Sequence, residues 1–436
     1  MKKATVFLMA MFAINMFSHA QLGKFAEKVK GKITTKANQR IDAKVDKQID
    51  KGLDAAEGKN IPNSNTSGAN NTSTSAAPAT AQTNEAPALK SFSKFDFVPG
   101  EKIVYSEDFA ADAIGELPIN WNTAGKAEVV TLDIAKGNWL RLYPTATFLT
   151  SNTTEFTKNF TVEFDIILDM HNTGYTYPYF SFGMISSGSL PPADNSLLKN
   201  YHGTQSTEIY FRLADKGGSS TYIETHSNKQ QFFISEHQKL SDISNYYGKV
   251  AHISIQIQQS RVRVWVNSEK KFDLPKAMPV DAIFNNLFFR THGSGYKEEE
   301  LGFYISNLKV ATGLPDTRYK LIEEGKFSTT GILFDVNTAQ IKPESNGVLK
   351  EISDLLKKHE NVRIQIIGHT DSDGNDAANM ELSKKRAAAV KEALVTEFKI
   401  NADRIETDGK GEAAPVGDNK TKEGKAQNRR VEFLKL

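Results

Sequence analysis

The chain contains no cysteine. Disulfides are therefore excluded, and so is a lipid carried on an N-terminal cysteine, so each folded part must be held by its own packed core. An excess of charge of one sign is also missing. The 54 Lys and Arg residues stand against 52 Asp and Glu, which argues against a general binder of nucleic acid or anionic membrane. Long apolar runs are scarce. The longest, Ala4 to Phe17, has 14 residues, short of the ~20 that span a bilayer as a helix. His171, His202, His226, His237, His252 and His292 are scattered without the spacing of metal ligands, so the sequence implies no metal and no cofactor.

What is present falls into segments. Lys2 and Lys3 precede the apolar run, and Ser18, His19 and Ala20 follow it. Residues 1–20 read as a secretory signal peptide with Gln21 as the mature N-terminus. Over 21–59 an apolar residue recurs every fourth position, from Phe25 and Val29 to Ile49 and Leu53, with Asp42, Asp46, Asp50 and Asp54 beside the stripe. This predicts a charged amphipathic helix, self-associating, lying on a membrane surface or simply solvated. Residues 60–95 are rich in Asn, Ser, Thr and Ala with almost no large apolar side chain, and read as a flexible linker.

Residues 96–312 alternate with period two. Val162, Phe164, Ile166 and Leu168 share one face of a strand, as do Ile253, Ile255 and Ile257 in the next such run and Val262, Val264 and Val266 in the one after. Such runs predict half-buried antiparallel strands in an all-β two-sheet sandwich. The segments Glu107–Trp121, Val262–Pro275 and Phe303–Val310 resemble the concanavalin/laminin-G-like jelly rolls. That fold includes glucan hydrolases, so a glycan-binding or glycan-hydrolysing sandwich is the alternative function. The pair Glu163 and Asp165 comes nearest to a catalytic strand. A third carboxylate is missing, because Ile167 and Leu168 stand where the resemblance requires a Glu. A solvated acidic strand face is therefore the expectation. A membrane barrel is the third reading, disfavoured because no strand shows a ten-residue lipid-facing alternation.

After a joint at 313–326, residues 327–436 change to alternating strand and helix. Strands are predicted at Gly331–Asn337, Val362–Gly368, Arg404–Glu412 and Asn428–Leu436. Helices are predicted from Pro343 and over Ala377–Phe398. The order βαβαββ implies a small α/β domain with both helices on one face of a mixed sheet. Between the second strand and the second helix lies GHTDSDG, Gly368 to Gly374. It puts Asp371 on a polar loop and Arg386 on the following helix, where an acid and a base can hold the opposite charges of one zwitterion. Asn379, seven residues before Arg386, shares its helix face.

With LSKKRA (Leu382 to Ala387), GKGE and NRRVE (Asn428 to Glu432), this segment resembles the OmpA-like peptidoglycan-binding domain. The resemblance implies a non-catalytic cell-envelope protein of a Gram-negative periplasm, associated with the outer membrane. Its partner would be diaminopimelate-type peptidoglycan. Asp371 would take the ammonium of diaminopimelate and Arg386 its carboxylate. The expected ligand-binding set is Asp371, Arg386, Asn379, Thr370, Arg429 and Arg430, with one of the two adjacent arginines facing the ligand and the other bracing the sheet. The plainer alternative makes Asp371 a turn cap and Arg386 a surface charge.

Overall fold

The computed structural model describes residues 95–436, apart from 151, 153, 192, 200–204, 241–242 and 315. The signal peptide, the helix of 21–59 and the linker, Phe95 excepted, fall outside the described residues.

The period-two runs form strands. In chain order these are β1 Lys102–Glu107, β2 Trp121–Thr123, β3 Ala127–Thr131, β4 Asn138–Leu142, β5 Ala146–Thr150, β6 Asn159–Met170, β7 Phe180–Ser186, β8 Gln205–Arg212, β9 Ser220–Ser227, β10 Gln230–Ile234, β11 Gln238–Lys239, β12 Val250–Gln258, β13 Arg261–Val266, β14 Glu269–Leu274, β15 Asn286–Thr291 and β16 Leu301–Thr312. They make two antiparallel sheets. One runs β14-β13-β12-β6-β16-β4-β3 with β1 added beside β16, and the other β10-β9-β8-β7-β15-β5-β2 with β11 beside β9. A single apolar core lies between the sheets, fed by Val162, Phe164, Ile166 and Leu168 of β6 and by Phe180, Phe182 and Met184 of β7. The ring of Phe164 sits 4.7 Å from Phe182 and edge-on to Phe289 at 5.2 Å. Each such side chain contributes about 1.5–3 kcal/mol on burial, which is how a chain without disulfides holds a large sandwich.

The second region contains β17 Lys326–Thr329, α1 Asn346–Lys358, β18 Ile364–His369, α2 Asp376–Thr396, β19 Ile405–Gly411, α3 Lys422–Asn428 and β20 Val431–Lys435. Its sheet runs β17-β20-β18-β19, parallel only between β18 and β19. Val348, Leu349 and Ile352 of α1 and Ala387, Val390 and Leu394 of α2 cover Ile364, Ile366, Val431 and Phe433 on one face. At Gly368 an added Cβ would lie 2.2 Å from the carbonyl oxygen of Ser383. Strand and helix therefore meet backbone to backbone there, which seats the loop after β18 firmly against α2.

Two expectations need correcting. Gly331–Asn337 is not a strand; only an isolated bridge joins Phe334 to Ile341. Asn337 takes a left-handed φ of 59°, the chain turns back at Asp335–Thr338, and Leu333 bonds the Ser345 hydroxyl through both its N–H and its C=O. The opening strand is instead β17. The helix α3 was not expected. It is capped by Thr421, whose hydroxyl accepts from the Gly424 N–H at 3.0 Å.

The two regions belong to one compact unit. Phe95 and Phe97 pack on Trp265 of β13, with the Phe97 ring at 5.3 Å, while Val98 packs on the core of the second region. Helix α3 lies along β1. Gln427 accepts from Ile103 N–H at 2.8 Å and donates to Glu101 C=O at 3.0 Å, and Glu423 accepts from Ser106 N–H at 3.2 Å. These side chains satisfy backbone groups of β1 that no strand pairs, which is one way a sheet edge is covered. Lys422 completes the contact with Glu107 at 2.6 Å and Asp112 at 3.0 Å.

Candidate functional site

The loop after β18 is held from beneath. Thr370 N–H donates to Gly411 C=O at 3.0 Å. The Asn379 amide donates to the carbonyls of Asp371 at 3.3 Å and Asp373 at 3.0 Å and to the Glu412 carboxylate at 2.5 Å. Asn375 caps α2 by accepting from Ala378 N–H at 2.9 Å. The loop geometry is thus set by side chains with no spare freedom, as a preformed site requires.

Asp371 projects from this loop and is buried. One carboxylate oxygen accepts from Arg429 Nη1 at 2.6 Å and the other from Asp373 N–H at 3.1 Å. Arg386 stands on α2. Its Nε donates to Thr338 C=O at 3.0 Å, and its guanidinium lies over the Phe334 ring at 4.9 Å. Burial and the nearby Arg429 lower the pKa of Arg386, and Asp371 offsets them only in part. A guanidinium in that position remains charged and gains from any anion that reaches it.

Asp371, Arg386, Arg429 and Arg430 all line one cavity of about 360 Å³, within the size range of small-ligand sites. The adjacent arginines diverge, but not by strand alternation, since Arg429 caps the C-terminal end of helix α3 and both precede β20. Arg429 reaches Asp371, whereas Arg430 is buried against Glu432, with bonds of 3.0 and 2.8 Å, and against Ala414 C=O at 3.0 Å. Glu432 is held well below the usual carboxylate range by His369 and, against the cost of burial, by Lys326 and Arg430. Asn379, behind the loop, and Thr370, within it, were expected among the ligand contacts and are not lining residues of this cavity. They shape the site instead of facing it.

The opposite wall of the cavity was not foreseen. It belongs to the sandwich and includes Glu163, Asp165, His252, Asn307 and Lys309. The expected solvated acidic face is in fact buried, with Glu163 3% and Asp165 4% exposed. The sheet register explains the cluster, since His252 lies opposite Asp165 and Lys309 opposite Glu163 across β6. His252 Nδ1 meets Asp165 at 2.6 Å, Asn307 donates to Asp165 at 2.8 Å, and Lys309 meets Glu163 at 2.8 Å. Lys342 of the second region stands 3.8 Å from Asp165. Burial opposes the charge of His252, but Asp165 and Glu163 outweigh it and push its pKa up to about 9. Burial likewise works against Glu163 and Asp165, yet Lys309 and His252 hold Glu163, and His252, Lys342 and Asn307 hold Asp165, below their ordinary values. The signal in the sequence was the Glu-x-Asp alternation, which no local pattern connects to His252 and Lys309 far along the chain.

The OmpA family profile matches residues 333–429. The outer-membrane lipoprotein YfiB of Pseudomonas aeruginosa is 34% identical over 162 residues, 37% of this chain and 94% of that protein. This chain belongs to the OmpA family. Outer membrane porin F of Pseudomonas aeruginosa is 42% identical over 101 residues, 23% of this chain and 29% of the porin. The probable lipoprotein YiaD of Escherichia coli is 44% identical over 102 residues and 46% of its length. The chain thus spans less than half of these last two relatives. The peptidoglycan-associated lipoprotein of Burkholderia pseudomallei, a solved structure, is 28% identical, covers 25% of this chain and 89% of its own, and has a TM-score of 0.23. That the relatives are outer-membrane proteins and lipoproteins agrees with the envelope location expected for this OmpA-family chain. The OmpA-family region contains the loop of Asp371, helix α2 and Arg429, so the cavity's first wall is the part shared with relatives.

Proposed function

We propose that the protein is a non-catalytic anchor that holds peptidoglycan through residues 327–436, gripping the diaminopimelate of the stem peptide. The observation that carries this reading is that Asp371, Arg386 and Arg429 line one cavity. The free end of diaminopimelate bears an ammonium and a carboxylate on one carbon. Asp371 takes the ammonium, displacing or sharing its bond to Arg429. Arg386, with only its Nε bonded among the described contacts, offers its remaining guanidinium donors to the carboxylate, a planar fork suited to that group. Each charge-assisted bond contributes about 1.5–3 kcal/mol when sheltered, so single-site affinity is modest and the polymeric wall raises it through avidity. The family match over this region supports the reading. A glycan-hydrolysing sandwich gains nothing from Glu163 and Asp165, both of which are engaged by cations.

The test is co-sedimentation of the purified chain with diaminopimelate-type sacculi. Retention of the wild type and loss of at least tenfold in each of Asp371→Ala and Arg386→Ala is expected. Undiminished retention of both variants refutes the site.

A further inference from the structure

The cavity is built from two walls, and only one belongs to the anchor region. The second, on β6, β12 and β16 of the sandwich, has buried Glu163, Asp165 and His252 beside the half-buried Lys309. Burying an ion cluster is weak as a stabilising device, because desolvation cancels much of the attraction. Its members also retain unused bonding capacity: donors are left over on His252 and Lys309, and Glu163 Oε2 accepts nothing beyond its ion pair with Lys309.

Each oxygen of Asp165 accepts a bond, one from His252 and one from Asn307. His252 is 6% exposed, and its Nε2 has no hydrogen-bond partner; the nearest carboxylate oxygen, on Glu163, is 3.7 Å away. Lys309 meets Glu163 at 2.8 Å, which occupies one of the three donors of an ammonium. Lys342 stands 3.8 Å from Asp165, beyond bonding distance. Across the cavity, Arg386 holds spare donors as well. The cluster at the sandwich wall thus sets three cationic side chains, His252, Lys309 and Lys342, against two carboxylates, Glu163 and Asp165. One anion satisfies Arg386, and a second would balance the extra cation beside Lys309 and His252.

We propose that the sandwich wall binds a second carboxylate of the same peptide, so that the site recognises an acidic peptide with at least two carboxylates rather than a lone zwitterion. This inference rests on the anchoring function proposed above and names the extra chemistry that the ligand must carry. In that role Lys309 and His252 are specificity determinants, discriminating a carboxylate beside the diaminopimelate from the corresponding amide. A buried cation loses more from a missing anion than an exposed one does, which is why the discrimination is measurable.

The experiment is calorimetric titration of the full chain with two synthetic peptides. One is L-alanyl-γ-D-glutamyl-diaminopimelate, and the other is the same peptide with the glutamyl α-carboxylate converted to an amide. The wild type is expected to bind the acid on the order of tenfold more tightly than the amide. Lys309→Gln is expected to bring the ratio to within about twofold, with its fold checked independently by circular dichroism. A variant-free arm follows the imidazole ¹⁵N resonances of wild-type His252, which should move with the acid and stay with the amide. No acid-over-amide preference in the wild type, or a preference unchanged in Lys309→Gln, overturns the proposal. Wild-type protein that binds neither peptide overturns the anchoring function itself, an outcome distinct from equal binding of both.

Discussion

His252→Gln is the perturbation whose consequence follows most directly from the geometry. The imidazole lies between Asp165, at 2.6 Å, and Glu163, at 3.7 Å, with Lys309 and Asn307 on the neighbouring strand and Lys342 from the second region facing the same group. Its pKa rises from 6.5 to about 9 on folding. Since the folded value is the higher one, the stabilisation is complete below the unfolded pKa and is lost as pH rises through the folded one. At about 1.4 kcal/mol per pH unit, the full effect is roughly 3 kcal/mol near pH 6, roughly 2 at pH 7.5 and close to zero at pH 9.5. Gln preserves polarity but cannot titrate. Urea unfolding followed by tryptophan fluorescence, run on wild type and variant at pH 6, 7.5 and 9.5, gives the difference between them at each pH. That difference should shrink as pH rises. Glu163 and Asp165 have depressed pKa values, so their own contribution is lost only in acid, and they do not interfere in this window. A wild-type advantage that is constant across the three pH values would mean that His252 is not protonated in the fold, and the charge count of the sandwich wall would be wrong.

Two further outcomes follow from named contacts. Asn379→Ala removes the amide that ties the carbonyls of Asp371 and Asp373 to Glu412; sacculus binding should weaken about tenfold with faster amide exchange over residues 370–375, as expected of a loop brace and not of a ligand contact. Lys422→Ala leaves buried Glu107 without its cation, and Glu107 already has a pKa raised by burial that Lys422 partly counters; a loss of about 1.5–3 kcal/mol in stability is expected, read as a lower urea midpoint.

Much of the second region was legible because its chemistry is local. The run from Gly368 to Gly374 carries its turn glycines and its acid within seven residues, and Arg386 follows on the helix that the apolar spacing of Ala387, Val390 and Leu394 announces. The strands of the sandwich were legible for the same reason: Val162, Phe164, Ile166 and Leu168 declare a buried face by alternation alone. Pairing was not legible. His252 and Lys309 meet β6 only through a register set by the whole sheet, so His252 looked like one more scattered histidine. Gly331–Asn337 misled because its apolar residues fit a strand, while the left-handed Asn337 and the Ser345 hydroxyl that replaces its ladder bonds are visible only in three dimensions. The covering of Glu163 and Asp165 was hidden for a further reason. Nothing in a single strand shows that another part of the chain packs on its polar face.

That covering links docking to binding. Helix α3 holds β1 through Gln427, Glu423 and Lys422, and the strand after α3 begins just beyond Arg429, which bonds Asp371. The segment that fixes the sandwich in place therefore also delivers an arginine to the cavity. A peptide that engages Arg386 on one wall and Lys309 on the other would bind only the docked arrangement at full strength. By linkage it must then stabilise that arrangement by the same free energy. An anchor built this way grips its ligand with both of its parts, and tension on the wall would pass into the sandwich through the ligand as well as through α3.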